Sequence, residues 1–251
     1  IRDSFDIKRP VSWMRLMSKY KASISFAPNF AYGLSVKRTP EARVADLDLS
    51  HVRVLGCGAE PNHPGTLRAF ADHFAPAGLN PEALLPVYGM AEATLAMTFS
   101  RRDQTMRTDV IAADAYSDTG IATSVDDERS AADDDKCLEF VSCGWALPNH
   151  SVRIVDANGD DVPDRTTGEI VFEGPSVTVG YFENPEATDR AFQRDGLRTG
   201  DLGYVVNGEL FVTGRKKDLI ILNGRNYDPH SIEWVVAEID GVRKGNVICF
   251  S

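Results

Sequence analysis

The stretch His51–Ala75, HVRVLGCGAEPNHPGTLRAFADHFA, decides the fold. His51–Gly56 alternates in the manner of a strand. Gly56-Cys57-Gly58-Ala59-Glu60-Pro61 carries turn residues, and 64–75 is apolar at helical spacing. The same order recurs on either side. Upstream, residues 9–21 place Val11, Trp13, Met14, Leu16, Met17 and Tyr20 near helical spacing, with Pro10 suited to a first turn. Ser23–Ala27 then reads as a short buried strand stopped by Pro28. Downstream, Leu84–Val87 reads as a strand, followed by Tyr88-Gly89 and a helix-like 91–98. Strand, turn and helix in repetition predict an α/β layer with a parallel sheet.

The texture then changes. Residues 101–136 are polar, with Asp126, Asp127, Glu128, Asp133, Asp134 and Asp135 close together, and predict a solvated loop. EF-hand spacing is absent there. From 139 onward short apolar runs at 139–143, 151–156, 168–173, 203–206 and 209–213 predict a small antiparallel barrel or sandwich. Asn207-Gly208 suits the tight hairpin turn between the last two. After Gly214 a strand at Asp218–Leu222 and a helix at Pro229–Ile239 begin another unit. The expected divisions are an α/β subdomain at 1–100, an acidic and flexible or inserted segment at 101–138, a barrel-like subdomain at 139–214, and a further domain from 215.

Composition excludes several function classes. Lys and Arg number 27 against 37 Asp and Glu, a net charge of −10, so a nucleic-acid partner is not expected. No run approaches the roughly 18 apolar residues of a membrane span. The four cysteines, Cys57, Cys137, Cys143 and Cys249, lack zinc-site pairing and are too scattered for a disulfide scaffold. A reducing, cytoplasmic setting fits them. The histidines show no metalloprotease spacing, and no GxSxG elbow is present.

Four motifs carry possible chemistry. Gly56-x-Gly58 is an incomplete dinucleotide fingerprint, because Pro61 stands where the third glycine belongs. It reads equally as a tight strand-to-helix turn or as a close approach to a flat ligand. Val87-Tyr88-Gly89-Met90-Ala91-Glu92 offers an aromatic face and a carboxylate, though Glu92 also reads as a residue favoured at a helix start. In Arg198-Thr199-Gly200-Asp201-Leu202-Gly203, Asp201 reads as an acceptor for a ribose diol or as an Asx-type turn. Gly214-Arg215-Lys216-Lys217-Asp218 is a cationic cluster able to reach a phosphate, or an ordinary charged surface.

Taken in order, GCGAEP, YGMAEAT, RTGDLG and VTGRKKDLIILNGRNYDPHSIE resemble the adenylate-forming superfamily of acyl-CoA synthetases, luciferases and peptide-synthetase adenylation domains. The finer likeness is to fatty acyl-AMP ligases. It rests on Pro28-Asn29-Phe30-Ala31-Tyr32, YGMAEATL, Val141-Ser142-Cys143-Gly144 and Gly224-Arg225-Asn226-Tyr227. The resemblance implies ATP and Mg²⁺ as cofactors and a fatty acid as substrate, with an acyl-carrier protein or coenzyme A as acceptor. It implies that Gly58, Ala59 and Glu60 line the adenine with Tyr88, Gly89 and Met90 beside it. Asp201 would take the ribose hydroxyls, Arg215 the ribose or phosphate, and Glu92 would hold Mg²⁺. Lys217 would be a hinge, Asn29, Phe30 and Tyr32 would lie near the acyl tunnel, and 101–140 would cover a family insertion that restrains the hinged domain.

The family's phosphate loop and its C-terminal catalytic lysine are not in this sequence. With Ile1 at one end and the apolar Asn246–Ser251 at the other, the chain reads as a window on a protein about twice as long. It would then hold the back of a large domain and the beginning of a hinged one, and be inactive alone. A non-catalytic nucleotide-binding or interaction module is the alternative from another class.

Overall fold

The computed structural model describes residues 10–125, 136–193, 196–222, 225–227, 229–237, 239–242 and 247–250. The acidic run at 126–135 lies outside the described residues, as does Gly224.

The first helix, α1 (Val11–Tyr20), buries Trp13, Met14 and Met17 and ends at Lys21 in the left-handed conformation. Strand β1 (Ile24–Ala27) stops at Pro28, which starts α2 (Asn29–Arg38); a single turn, α3 (Glu41–Val44), follows. Strand β2 (Val54–Cys57) is buried at all four positions, as a central parallel strand covered on both faces must be. The helix α4 (Pro64–Phe74) opens on His63, whose Nδ1 accepts from Thr66 N–H, with proline in the first turn. Strand β3 (Leu84–Tyr88) completes a parallel trio in the order β1-β2-β3. One aromatic chain anchors this half. Trp13 meets Tyr32 edge to face at 5.3 Å, Tyr32 meets Phe70 at 4.9 Å, and Phe70 meets Phe74 at 4.7 Å. Tyr32, Phe70 and Phe74 are fully buried. Burying an aromatic side chain of this kind contributes about 1.5–3 kcal/mol.

The helix expected over 91–98 does not form. Ala91–Ala93 is one 3₁₀ turn. Leu95 N–H then bonds back to Ala93 carbonyl at 2.8 Å, with Thr94 at φ 70°, ψ −48°. That is a classic-type γ-turn, which is rare and strained. It reverses the chain so that β4 (Thr98–Phe99) runs antiparallel to β3, and β7 (Trp145–Ala146) adds beyond it. Seven apolar or small residues read as a helix by periodicity, but pairing to the edge of β3 wins.

The loop expected over 101–136 is likewise partly structured. Strand β5 (Thr108–Ala112) pairs with β6 (Cys137–Val141), and α5 (Ala113–Thr119) follows β5 directly. The reason is a half-buried ion pair. Asp109 takes both guanidinium nitrogens of Arg165, at 3.0 and 3.2 Å, and the Tyr204 hydroxyl at 2.9 Å. Ile111, Phe140, Tyr204 and Phe211 close a small core around it.

The antiparallel part consists of β8 (Ser151–Val155), β9 (Gly168–Glu173), a short β10 (Phe192–Gln193) after α6 (Pro185–Ala191), β11 (Gly196–Val206) and β12 (Glu209–Arg215). Its sheet runs β10-β11-β9-β8, with β12 on β11. Asn207 and Gly208 both have positive φ, as the tight hairpin turn requires. RTGDLG is therefore not a free turn. It lies within β11, where the register shifts on either side of Leu202 mark bulges. Last come β13 (Ile220–Leu222), β14 (Arg225–Tyr227) and α7 (Pro229–Ala237); Asp218 falls in the preceding turn.

Candidate active site

Because β1, β2 and β3 are parallel, their carboxyl ends point the same way. Three turns leave that edge: Pro28–Phe30, Gly58–Glu60 and Gly89–Glu92. Open α/β sheets bind ligands at such edges.

The turns are laced together. Glu60 Oε1 accepts from Phe30 N–H, and Asn29 Oδ1 accepts from His63 N–H at 3.1 Å. Ala59 has φ 69° and is exposed. A Cβ on Gly58 would lie 2.7 Å from Val87 Cγ2 and 2.9 Å from Val87 O. One on Gly89 would lie 1.8 Å from Leu95 O. Both glycines are thus demanded by packing of the turns onto their neighbours, without invoking a ligand. Phe30 is about half exposed at this edge. Tyr32 is not at it. Its ring is fully buried and its hydroxyl donates 2.8 Å to Gly56 O, so it supports the floor of β2 rather than lining an acyl tunnel.

The far sheet reaches the same edge through β11. The Tyr88 hydroxyl donates to Asp201 Oδ2 at 2.6 Å, while Arg215 Nε lies 3.1 Å from Asp201 Oδ1. Asp201 and Arg215 face each other as register partners of β11 and β12. Thr199 orders this point, donating to Ile170 O at 2.8 Å and accepting from Asp201 N–H at 3.1 Å. Burial, and then the Asp201 charge, push the Tyr88 phenol well above its ordinary value, so Tyr88 is a neutral donor here. It packs against the clusters that hold Met97 and Phe172, and Ile170 and Leu210. A carboxylate has about four acceptor positions. The two contacts leave capacity on Asp201, whose side chain is 13% exposed, for the vicinal hydroxyls of a sugar.

Met90 packs against Ala93, Met97 and Phe172. Glu92 sits in the 3₁₀ turn, and its Oε1 accepts from the Tyr181 hydroxyl at 2.6 Å. That bond and burial raise the Tyr181 phenol to about 12. Lys217 is exposed in the turn between β12 and β13, where Lys216 N–H donates to Gly200 O at 2.9 Å. Beyond it, Arg225 Nε pairs with Asp118 Oδ1 of α5 at 2.7 Å. Two thiols lie under the site. Burial raises Cys143 to about 11 and Cys57 further, which makes both inert as nucleophiles. Among the described residues no cluster of three or more His, Cys, Asp or Glu could cage a metal. None of their helices is long and apolar enough to cross a membrane.

Sequence reasoning missed Tyr181, Thr199 and Asn62, whose Nδ2 points at Cys143 Sγ, 3.6 Å away. A signal for Tyr181 was present: Gly180-Tyr181 precedes the N-cap Asn184 and Pro185 of α6, which fixes where that tyrosine can sit.

The AMP-binding enzyme family matches residues 2–182. The chain belongs to this family. Among its relatives, a putative acyl-CoA synthetase of Caulobacter vibrioides is 39% identical, over 98% of this chain and 42% of that protein. A medium-chain-fatty-acid–[acyl-carrier-protein] ligase, TtuA of Teredinibacter turnerae, is 36% identical over 93% of this chain and 38% of its own length. A solved structure from a study of fatty acyl-adenylate ligases of E. coli and L. pneumophila superimposes with a TM-score of 0.89. It is 37% identical and covers 96% of this chain and 43% of that one. The chain spans about two fifths of the length of the curated relatives it matches. The α/β layer followed by an antiparallel sheet is the architecture of part of the large domain of this AMP-binding family.

Proposed function

We propose that the protein containing this chain activates a fatty acid as its acyl-adenylate at the expense of ATP and transfers the acyl group to an acyl-carrier protein. The observation that carries this reading is the Tyr88–Asp201–Arg215 chain, set against the turns Gly58–Glu60 and Gly89–Glu92. It supplies a flat cleft edge for adenine at Gly58, Ala59 and Glu60, beside Tyr88, Gly89 and Met90. Asp201 offers the acceptor for ribose hydroxyls, and Arg215 a half-exposed cation for ribose or α-phosphate.

In the reaction a fatty carboxylate oxygen bonds to the α-phosphorus and the bond to pyrophosphate breaks. The barrier is largely anion approaching anion, so fixed cations and orientation do most of the work. Arg215 is placed for the first role. Asn29 and Phe30, near Glu60, are the chain's candidates for orienting the acyl end. Glu92 fits a magnesium ion. Its Oε2 accepts from no donor among the described residues, and magnesium is commonly bound through one or two carboxylates plus substrate phosphates rather than a full protein cage. Such an ion would supply charge neutralisation at the phosphates. Lys217, exposed beyond Arg215, is the proposed hinge, and the Arg225–Asp118 pair would restrain the segment after it.

The acceptor is the finer question. The name of the T. turnerae relative supports a carrier protein, and that of the C. vibrioides relative supports coenzyme A as a second reading. Incubating the full-length protein with ATP, Mg²⁺ and a panel of fatty acids should release pyrophosphate. Silence across the panel would defeat the proposal. Offering holo-carrier protein and coenzyme A in parallel then decides the acceptor.

A further inference from the structure

The segment leaving β9, residues 174–184, crosses the turn that carries Glu92 and is fastened to it repeatedly. Thr178 N–H donates to Glu92 O at 2.8 Å, and the Thr94 hydroxyl donates to Ser176 O at 3.0 Å. Val177 packs into the cluster of Ala93, Met97 and Phe172. The Tyr181 hydroxyl then donates to Glu92 Oε1. The strap thus holds the turn by backbone, by side chain and by apolar contact.

The strap is itself fixed. His150 Nδ1 lies 2.9 Å from Pro148 O, so the proton sits on that nitrogen and Nε2 is left as an acceptor for the Ser176 hydroxyl at 2.9 Å. Tyr181 N–H donates to Thr188 Oγ1 at 2.9 Å, and its ring meets Phe192 edge to face at 5.4 Å. Gly180 has φ 145°, and a Cβ there would lie 2.5 Å from Thr188 Cγ2. The tyrosine is therefore held at backbone and ring, so its oxygen meets Glu92 without an ordering cost at that moment. Fixing a glutamate side chain costs rotamer freedom, which a hydrogen bond to its charged carboxylate offsets.

We propose that Tyr181 is a positioning residue for the Glu92 carboxylate, occupying Oε1 and leaving Oε2 for a hard divalent cation held jointly with the nucleotide's phosphates. The inference rests on the adenylating function proposed above. Carboxylates that bind metals are generally hydrogen-bonded in turn, and loss of such a partner costs about 10–100-fold in metal affinity or activity.

The test uses the full-length protein and Tyr181→Phe, which keeps the ring against Phe192 and removes only the donor. Mn²⁺ affinity is measured by water-proton relaxation in the presence of a non-hydrolysable ATP analogue. Analogue affinity without metal and the melting temperature are measured alongside. The expected result is Mn²⁺ binding about 10–100-fold weaker, with metal-free analogue affinity and melting unchanged. The Mg²⁺ needed for half-maximal pyrophosphate release should rise, and kcat at saturating Mg²⁺ should be largely kept. If Glu92→Gln weakens Mn²⁺ binding and Tyr181→Phe does not, the positioning role is wrong while the site assignment stands. If neither variant alters Mn²⁺ binding, both fail. A fall in melting temperature and metal-free affinity for Tyr181→Phe would mark the strap as merely structural and also overturn the inference.

Discussion

The turns after β2 and β3 leave neighbouring strands at the same sheet edge, yet they are held in opposite ways. The first, Gly58–Glu60, is joined to the turn after β1: Glu60 to the Phe30 amide, and through His63 to Asn29. The second, Gly89–Glu92, is tied by residues about ninety to over a hundred positions away, Tyr181 and Asp201, with a strained γ-turn at Thr94 beside it. These ties of the first turn join two turns of the parallel sheet. The second is completed only when the antiparallel sheet docks, and it carries the groups suited to chemistry. Strain that survives because surrounding structure overrides it is a common mark of such places.

Glycine substitutions should break the comparison most sharply. Gly89→Ala drives a methyl group into the backbone at Leu95, which cannot yield as a side chain would. It should cost more than about 3 kcal/mol, beyond the usual range for overpacking. Gly58→Ala meets the movable Val87 Cγ2 as well as Val87 O, and should cost about 1–3 kcal/mol. Urea unfolding of both variants measures the difference; equal losses would remove the distinction between the turns.

Glu60→Ala should be milder. It removes one acceptor from the Phe30 amide, a loss of about 1 kcal/mol, with faster amide exchange confined to residues near Phe30. Exchange spreading to Tyr88 would show that the two turns are not independently held.

The smallest effect concerns the helix that follows the first turn. Arg68 of α4 grips Glu139 of β6 through both carboxylate oxygens, which holds the Glu139 carboxyl below the ordinary glutamate value. A lowered folded value means the stabilisation is full above the unfolded glutamate pKa and fades as pH falls through the folded one. The pair is partly exposed, so Glu139→Gln should cost under about 1 kcal/mol at neutral pH. It should also flatten the acid limb of a melting-temperature profile as pH falls through and below the ordinary glutamate range. An unchanged acid limb would count against the pair.

The sequence carried the parallel layer well, because β2 and α4 announce themselves by period and by Pro-containing turns. It also carried Asp201, Tyr88 and Glu92 as candidates, through the order of four motifs rather than any one of them. Three things were hidden. The reversal at Thr94 puts a β-branched residue at positive φ, against its local preference, so no propensity could announce it. The strand at Thr108–Ala112 lay in a polar context, and its reason for ordering, Asp109 against Arg165, joins residues 56 positions apart. Tyr32 looked like a site residue because it stands beside Asn29 and Phe30, but helical geometry turns it inward to Gly56.

The central claim is that the far sheet, through Asp201, completes a nucleotide site at the second turn. Calorimetric titration of AMP into the full-length protein and into Asp201→Ala tests it most directly. The account predicts at least a tenfold loss of AMP affinity in Asp201→Ala, in keeping with about 1.5–3 kcal/mol for hydrogen bonds to a charged group. AMP binding of equal strength in both proteins would contradict it.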